Sequence, residues 1–345
     1  MLKQYFAAKA THPGVLIAMR VGDFYEFYGE DAETAAAALE ITLTGREDGT
    51  NGRIPMAGVP FHSVEKYLAK LVTKGFKVGL CDQVEDPKTA KGLVRREVTR
   101  VLTAGTLLED SMLVDGANSF LTAIFIQNDK AGIATLDSST GEFFVTEIDG
   151  ANLISMVAQE VARLRPAEVL VPVAAGTEIE AIASIAHSLV STLDPADLRK
   201  ATQKLLTTLN TESLQAFGCS DKPSAIVAAS MVLGYAEQNG LALTHIDGLT
   251  TYSIDGFMVL DPSTRRALEL TQNLSDGTKR HTLLSILDAT TTSMGSRLLR
   301  RWVEQPLLDP AAIIQRQNSV ERIANDHLSR DELRNTLKVI GDLER

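Results

Sequence analysis

Apolar and polar residues alternate with helical or strand-like spacing along most of this 345-residue chain. The clearest helical pattern covers residues 64–72, where apolar residues fall at i, i+3, i+4, i+7 and i+8. An Ala-rich run predicts a second helix over residues 31–39, and the apolar run at 15–19 is typical of a buried strand. The first third of the chain therefore predicts a mixed α/β domain.

Residues 22–28 read Gly-Asp-Phe-Tyr-Glu-Phe-Tyr, a pattern that favours a strand. Successive side chains of a strand point to opposite faces, so Phe24 and Glu26 share one face, and Tyr25 and Phe27 share the other. An aromatic ring beside a carboxylate can enter a weakened base step while the carboxylate contacts a base edge. The alternative is an ordinary strand whose aromatic residues belong to the core.

Basic residues mark two further segments of the first third. Residues 44–54 predict a polar loop in which Arg46 and Arg53 stand among glycines, and residues 93–102 predict a strand that carries Arg96. Either segment can contact phosphates. The alternatives are solvated loop arginines and an edge strand that its charges protect from pairing.

The middle third alternates between strands and helices. Three strands over 120–127, 132–137 and 142–148, joined by short polar turns, predict an antiparallel meander. Helices are predicted at about 153–164 and 178–188, with a strand at 169–171 between them. Asp137 and Glu142 flank one turn, and we expect surface acids there; a metal-dependent nuclease would need several converging carboxylates.

From residue 225 onward the pattern is mainly helical. Helices are predicted over residues 225–237, from 262 onward, and over 281–287, 296–303, 310–325 and 331–343, with one short strand at 252–260. The helical pattern is still continuing at Arg345, so we expect the chain to be a fragment of a longer protein.

Charge is distributed unevenly, although the formal net charge is −10. Residues 1–105 carry 14 basic and 13 acidic residues, residues 106–260 carry 7 and 19, and residues 261–345 carry 13 and 12. The acidity thus belongs to the middle third, which suits contact with protein better than contact with phosphates. Both ends of the chain remain compatible with binding DNA.

Several classes of chemistry find no support in the sequence. No run of 18 or more apolar residues and no signal-peptide core occur, which predicts a cytoplasmic protein without membrane contact. The two cysteines and six histidines have no metal-ligand spacing, and no Ser/His/Asp arrangement suggests a nucleophile. No Gly-x-x-x-x-Gly-Lys-Ser/Thr occurs, so we expect neither ATP hydrolysis nor a cofactor in these residues.

Ordered motifs in the chain resemble the MutS family of DNA mismatch-repair proteins. They comprise Arg-Val-Gly-Asp-Phe-Tyr-Glu at 20–26, Pro-Met-Ala-Gly-Val-Pro-Phe-His at 55–62, Thr-Ala-Gly-Thr at 103–106, residues 261–280, Met-Gly-Ser-Arg-Leu-Leu-Arg-Arg-Trp at 294–302 and Gly-Asp-Leu-Glu-Arg at 341–345. The resemblance implies that Phe24 stacks on a mispaired base and that Glu26 hydrogen-bonds it. It also implies DNA-backbone contacts by Arg46 and Arg96, and we expect the same of Arg53. Because phosphates repel a carboxylate, we expect Glu26 to hold a proton in the complex.

The resemblance also implies the domain order. We expect a mismatch-recognition domain at 1–106, a linker at 107–118, an RNase H-like α/β connector at 119–220 and an incomplete helical lever or core domain at 221–345. The resemblance further implies that a full-length member of the family is a nucleoid-associated, DNA-dependent ATPase that uses ATP and Mg²⁺ and acts as a homodimer, with a MutL-type partner on the connector. Two alternatives are a metal-dependent RNase H-like nuclease centred on the connector and a structural, protein-binding module without affinity for DNA.

Overall fold

A computed structural model describes residues 1–47, 52–85, 94–174, 181–182 and 188–345. The described chain divides into two compact units. One comprises Met1–Leu113 and Leu233–Leu243, and the other comprises Val114–Val232 and Thr244–Arg345. The helix predicted at 178–188 falls mostly outside the described residues. Within the described ranges, no helix is long and apolar enough to cross a bilayer.

A six-stranded sheet forms the centre of the first unit. Its strands are β1 (Val15–Val21), β2 (Phe24–Tyr28), β3 (Thr44–Glu47), β4 (Arg53–Pro60), β5 (Lys77–Gln83) and β6 (Arg96–Leu102). They lie in the order β3-β4-β2-β1-β5-β6. β1 and β5 are parallel, and the other neighbouring pairs are antiparallel. The mixed α/β domain predicted from the first third is confirmed.

Three helices cover the two faces of this sheet: α1 (Leu2–Thr11), α2 (Glu30–Leu39) and α3 (Val64–Thr73). The apolar residues of α2 and α3 pack on one face, and Tyr5 of α1 packs on the other. Asp31 is buried and accepts hydrogen bonds from Tyr5 Oη at 2.9 Å, Lys9 Nζ at 2.6 Å and the Ile17 amide at 3.0 Å. This one carboxylate therefore joins α1, α2 and β1.

The polar loop predicted at 44–54 was wrong over 44–47 and 53–54, which belong to β3 and β4, and its residues 48–51 lie outside the described residues. The two strands pair in register, with Thr44 opposite Met56 and Arg46 opposite Ile54. β3 is an edge strand whose four residues carry no large apolar side chain. An edge strand that is solvated in this way has no apolar alternation to reveal it.

The second unit contains another six-stranded sheet. Its strands are β7 (Phe120–Gln127), β8 (Lys130–Asp137), β9 (Glu142–Asp149), β10 (Glu168–Val171), β11 (Leu189–Thr192) and β12 (Thr250–Thr251). They lie in the order β11-β10-β7-β8-β9-β12, and β7, β8 and β9 form the predicted antiparallel meander. β10 runs parallel to β7, and β11 runs parallel to β10.

Further helices follow in the described chain. They are α4 (Leu153–Leu164), α5 (Leu198–Thr208), α6 (Pro223–Gln238), α7 (Pro262–Ala267), α8 (Leu283–Leu287), α9 (Ser293–Glu304), α10 (Pro310–Asn325) and α11 (His327–Leu337). The strand predicted at 252–260 was wrong. Only an isolated bridge between Phe257 and Leu307 forms there, because no neighbouring strand in the described chain runs alongside. The mainly helical character of the last third is confirmed.

The segment Leu233–Leu243 returns the chain to the first unit. The Val101 amide of β6 donates to the Asn239 carbonyl at 3.0 Å, and the Lys77 ammonium lies 5.4 Å from the centre of the Tyr235 ring. A Cβ on Gly240 would lie 2.5 Å from the Thr99 carbonyl oxygen, so only glycine permits this approach. The segment is therefore an integral part of the first unit.

Candidate nucleic-acid interface

A two-residue turn places Phe24 at the end of the first sheet. Gly22 and Asp23 join β1 to β2, and Gly22 has the positive φ of +57° that this tight hairpin turn requires. Arg20 Nε donates to the Gly22 carbonyl at 2.6 Å, and the Phe61 amide donates to the Asp23 carbonyl at 2.9 Å. These bonds hold the turn, so Phe24 projects from a well-supported position.

Burial along β2 alternates as the sequence predicts. Tyr25 and Phe27 lie in the core beneath α2 and α3, whereas Phe24 is 47% exposed. Glu26 follows on the same face as Phe24, and its side chain is partly buried. An exposed apolar ring beside a supported carboxylate forms a surface that can stack on a flat group and hydrogen-bond its edge.

Two donors hold the Glu26 carboxylate at one of its oxygens. The Tyr28 hydroxyl donates to Oε2, and Arg46 Nη1 lies 3.4 Å from the same oxygen and 3.0 Å from the Tyr28 hydroxyl. Burial raises the pKa of Tyr28 well above its ordinary value, and the hydrogen bond to Glu26 raises it further. The phenol therefore stays protonated. Among the described residues, Oε1 is the oxygen of Glu26 that stays available to a ligand.

Sequence reasoning missed this cluster, which we call the Glu26 cluster (Glu26, Tyr28 and Arg46). Tyr28 follows Glu26 on the same face of β2, and Arg46 reaches them only through the strand order β3-β4-β2. The sequence pattern predicts a loop where β3 lies, so it does not indicate a contact between Arg46 and Glu26.

A glycine keeps space open between Phe24 and Glu26. Gly58 on β4 pairs with Glu26, and a Cβ there would lie 3.7 Å from Glu26 Cγ and 3.9 Å from Phe24 Cδ1. Such distances are ordinary contacts, so a side chain at this position would narrow the gap without a clash. The sequence showed the glycine but not that it faces both side chains.

The other two arginines predicted to contact DNA differ in their surroundings. Arg53 is exposed on β4, and its side chain lies across Gly45. Arg96 is half-buried, with Nε donating to the Arg20 carbonyl at 2.9 Å and Nη1 to the Val94 carbonyl at 3.0 Å. Arg53 is therefore the more accessible of the two cations, while Arg96 also braces the strand that leads into the Phe24 turn.

A second exposed aromatic residue lies near the turn, and sequence reasoning did not single it out. Phe61 is also 47% exposed, and its ring stacks on Tyr25 with the centroids 6.0 Å apart. The Arg20 guanidinium lies 3.3 Å from the centre of the Phe61 ring. The motif at 55–62 contains Phe61, but only the fold places it beside Arg20.

Asp137 and Glu142, the two acids that flank the turn between β8 and β9, each have protein partners. Asp137 is fully buried, so its expected surface position was wrong. It accepts hydrogen bonds from Asn118 Nδ2, the Ser119 amide, the Ser139 amide and the Ser139 hydroxyl, at 2.6–3.1 Å. Glu142 pairs with Arg301. No group of three potential metal ligands occurs in the part of the chain that the structure describes.

Comparison with known proteins identifies the family. Family models for MutS domain I, MutS domain II and MutS domain III match residues 1–111, 119–247 and 263–345, in that order. The chain belongs to the MutS family. It is 43% identical over 351 residues to the DNA mismatch repair protein MutS of Symbiobacterium thermophilum, 42% identical to that of Syntrophomonas wolfei and 39% identical to that of Methanosarcina acetivorans.

Each of these matches covers the whole of this chain but only 40–41% of the MutS relative. The matched region corresponds to MutS domains I to III. The hairpin with Phe24 and the Glu26 cluster fall within the domain I match.

Proposed function

We propose that this chain binds mismatched or unpaired bases in duplex DNA, the step that begins mismatch repair. The observation that carries the proposal is the exposed Phe24 ring on the same strand face as the supported carboxylate of Glu26. Membership of the MutS family, whose relatives bear the name DNA mismatch repair protein, agrees with it. Phe24 and Glu26 are the proposed mismatch-binding residues.

The proposed role of Phe24 is to test how easily the duplex deforms. A correct pair is held by stacking on both sides, whereas unstacking a mispair costs less, by an amount on the order of a few kcal/mol. A ring that enters from the minor groove exploits this difference, since the edges of the bases there carry little sequence information. Phe24 starts β2 directly after the tight turn, so the sheet resists the force that insertion requires.

Glu26 is proposed to hydrogen-bond the base against which Phe24 stacks. As a neutral acid in the complex it can donate a proton to a base acceptor, whereas a charged carboxylate only accepts. Proximity to phosphates favours the neutral form, because like charges repel. Arg46 now contacts Glu26, and the proposal requires that its guanidinium move to a phosphate when DNA binds.

Three arginines are proposed to hold the DNA backbone: Arg46, Arg53 and Arg96. Such contacts supply affinity that does not depend on sequence and that falls as salt rises. Arg53 is exposed and needs no rearrangement. Arg96 would have to reach a phosphate while its Nε and Nη1 remain bonded to backbone carbonyls.

The other parts of the chain are proposed to serve the same task. We assign residues 1–106 to mismatch recognition, 107–118 to a linker, 119–220 to an RNase H-like connector and 221–345 to part of a helical lever or core domain, although Leu233–Leu243 packs in the first unit. The order β9-β8-β7-β10-β11, with three antiparallel strands followed by two parallel ones, supports the connector assignment. A MutL-type partner on the connector, a homodimer and an ATPase that uses ATP and Mg²⁺ are proposed for the full-length protein.

Binding to a short duplex with one G·T mispair, compared with the matched duplex at fixed salt, tests the proposal. We expect wild type to prefer the mispair, and Phe24→Ala to lose that preference while keeping its affinity for matched DNA. Equal binding of wild type to both duplexes would contradict the proposal for this chain. An equal preference in wild type and Phe24→Ala would remove Phe24 from the site.

A further inference from the structure

The Tyr28 hydroxyl contacts Glu26 in the proposed site, but the side chain that carries it is buried. Tyr28 is 1% exposed, because its ring packs with Tyr5, Ile17 and Met19 in the core beneath α1. Its ring centre lies 5.0 Å from that of Tyr5 in an edge-to-face arrangement. The core therefore holds the phenol still, and its hydroxyl points to the carboxylate of a neighbour that is more exposed.

Arg46 differs from Tyr28 in its freedom to leave Glu26. The Arg46 side chain is 42% exposed, on the edge strand β3, and its 3.4 Å contact with Glu26 is long. An ion pair of this exposure contributes little to stability. A phosphate can therefore draw Arg46 away from Glu26. The Tyr28 hydroxyl stays in place, because the ring that carries it is buried in the core.

We propose that Tyr28 is the positioning residue for Glu26, holding Oε2 with its hydroxyl so that Oε1 is presented to the base beside the Phe24 ring. This inference rests on the proposed function. When Arg46 exchanges Glu26 for a phosphate, Tyr28 keeps the carboxyl group oriented. Contact with the DNA backbone and contact with the base are thus linked through one side chain.

Tyr28→Phe removes the hydroxyl and keeps the buried ring. Because the variant loses a hydrogen bond to a strongly polar group, we expect the preference for a G·T duplex over its matched duplex to fall about tenfold or more. Affinity for the matched duplex should not change. Tyr25→Phe is the matched control, since it removes a hydroxyl that donates to Asp82 from the opposite face of the same strand. It should leave the preference unaltered.

A double variant separates positioning from simple stabilisation. In a Glu26→Ala background, Tyr28→Phe should cause no additional loss of preference, because the hydroxyl acts only through the carboxyl group. An equal loss in both backgrounds, or a preference that Tyr28→Phe leaves intact, would overturn the positioning role. If wild type itself shows no preference, the proposed function fails and the positioning role fails with it.

A further variant leaves the buried ring untouched, so it remains informative if Tyr28→Phe proves unstable by thermal unfolding. Glu26→Asp keeps the charge but withdraws the carboxylate from Tyr28 by one methylene group. We expect its preference for the mispair to fall as far as that of Tyr28→Phe. Full preference in Glu26→Asp would show that contact with Tyr28 is dispensable.

Discussion

Glu26 of the first sheet and Asp137 of the second sheet both lie close to a hairpin turn, but their surroundings differ. Four donors occupy both oxygens of Asp137, which is fully buried. Two donors share a single oxygen of Glu26, which lies beside the exposed ring of Phe24. A carboxylate with every acceptor position filled stabilises a turn. A carboxylate that has one oxygen without a protein partner, beside exposed apolar surface, can bind a ligand.

Removal of Asp137 should give the largest effect, and that effect should be on stability. Asp137→Ala removes a fully buried acceptor of four hydrogen bonds, and a hydrogen bond to a charged group contributes about 1.5–3 kcal/mol. We expect the free energy of unfolding, measured in urea, to fall by about 3 kcal/mol. Mispair preference should persist under conditions where the variant stays folded. Unchanged stability would show that the Asp137 bonds contribute little.

Phe24→Ala should reverse that pattern, with a large effect on binding and little on unfolding. Stacking of a base on an aromatic side chain contributes about 1–3 kcal/mol, which predicts a loss of mispair preference of about tenfold or more. Phe61→Ala is the matched control. Phe61 has the same exposed fraction as Phe24, but the Arg20 guanidinium lies against its ring. If Phe61→Ala causes the greater loss, the ring that enters the duplex is Phe61.

Arg53→Ala should weaken binding to matched and mispaired duplexes alike. Loss of one phosphate contact lowers the slope of log affinity against log salt by about 1. Arg96→Ala should change this slope less, because Arg96 already donates to two carbonyl groups. Titrations at three or more salt concentrations measure both slopes. A larger change for Arg96 would mean that its carbonyl bonds break when DNA binds.

Gly58→Ala should have the smallest effect. The added methyl group would contact both Glu26 Cγ and Phe24 Cδ1 at ordinary distances, so the fold should tolerate it. We expect a mispair preference that is about twofold to threefold lower, because the methyl group occupies part of the space between Phe24 and Glu26 without a clash. A loss as large as that of Phe24→Ala would place the ligand directly against Gly58.

Local patterns predicted much of this structure. Alternation along β2 correctly separated Phe24 from the core residues Tyr25 and Phe27, because strand geometry alone decides which face each side chain takes. The meander of β7, β8 and β9 was also confirmed, since its apolar strands are bounded by polar turns. Both features depend on residues that are close together in sequence.

Features that depend on pairing between distant segments were missed. The sequence of β3 predicts a loop, because an edge strand of this kind has no apolar alternation. Without that strand, the sequence cannot predict the contact between Arg46 and Glu26. The burial of Asp137 depends on Asn118 and Ser119, which approach only when β7 pairs with β8. Residue types could identify the acids, but only the register of the strands could show how many partners each has.

The return of Leu233–Leu243 to the first unit has a consequence for protein synthesis. A ribosome releases the chain from its N-terminus, and continuous domains can fold as they emerge. Here β6 meets Asn239 only after more than one hundred intervening residues, including the second sheet as far as β11, have been made. Closing so long a loop slows folding. Synthesis of the unit that carries Phe24 thus starts before that of the second sheet. Its last segment, Leu233–Leu243, emerges only after most of the second sheet.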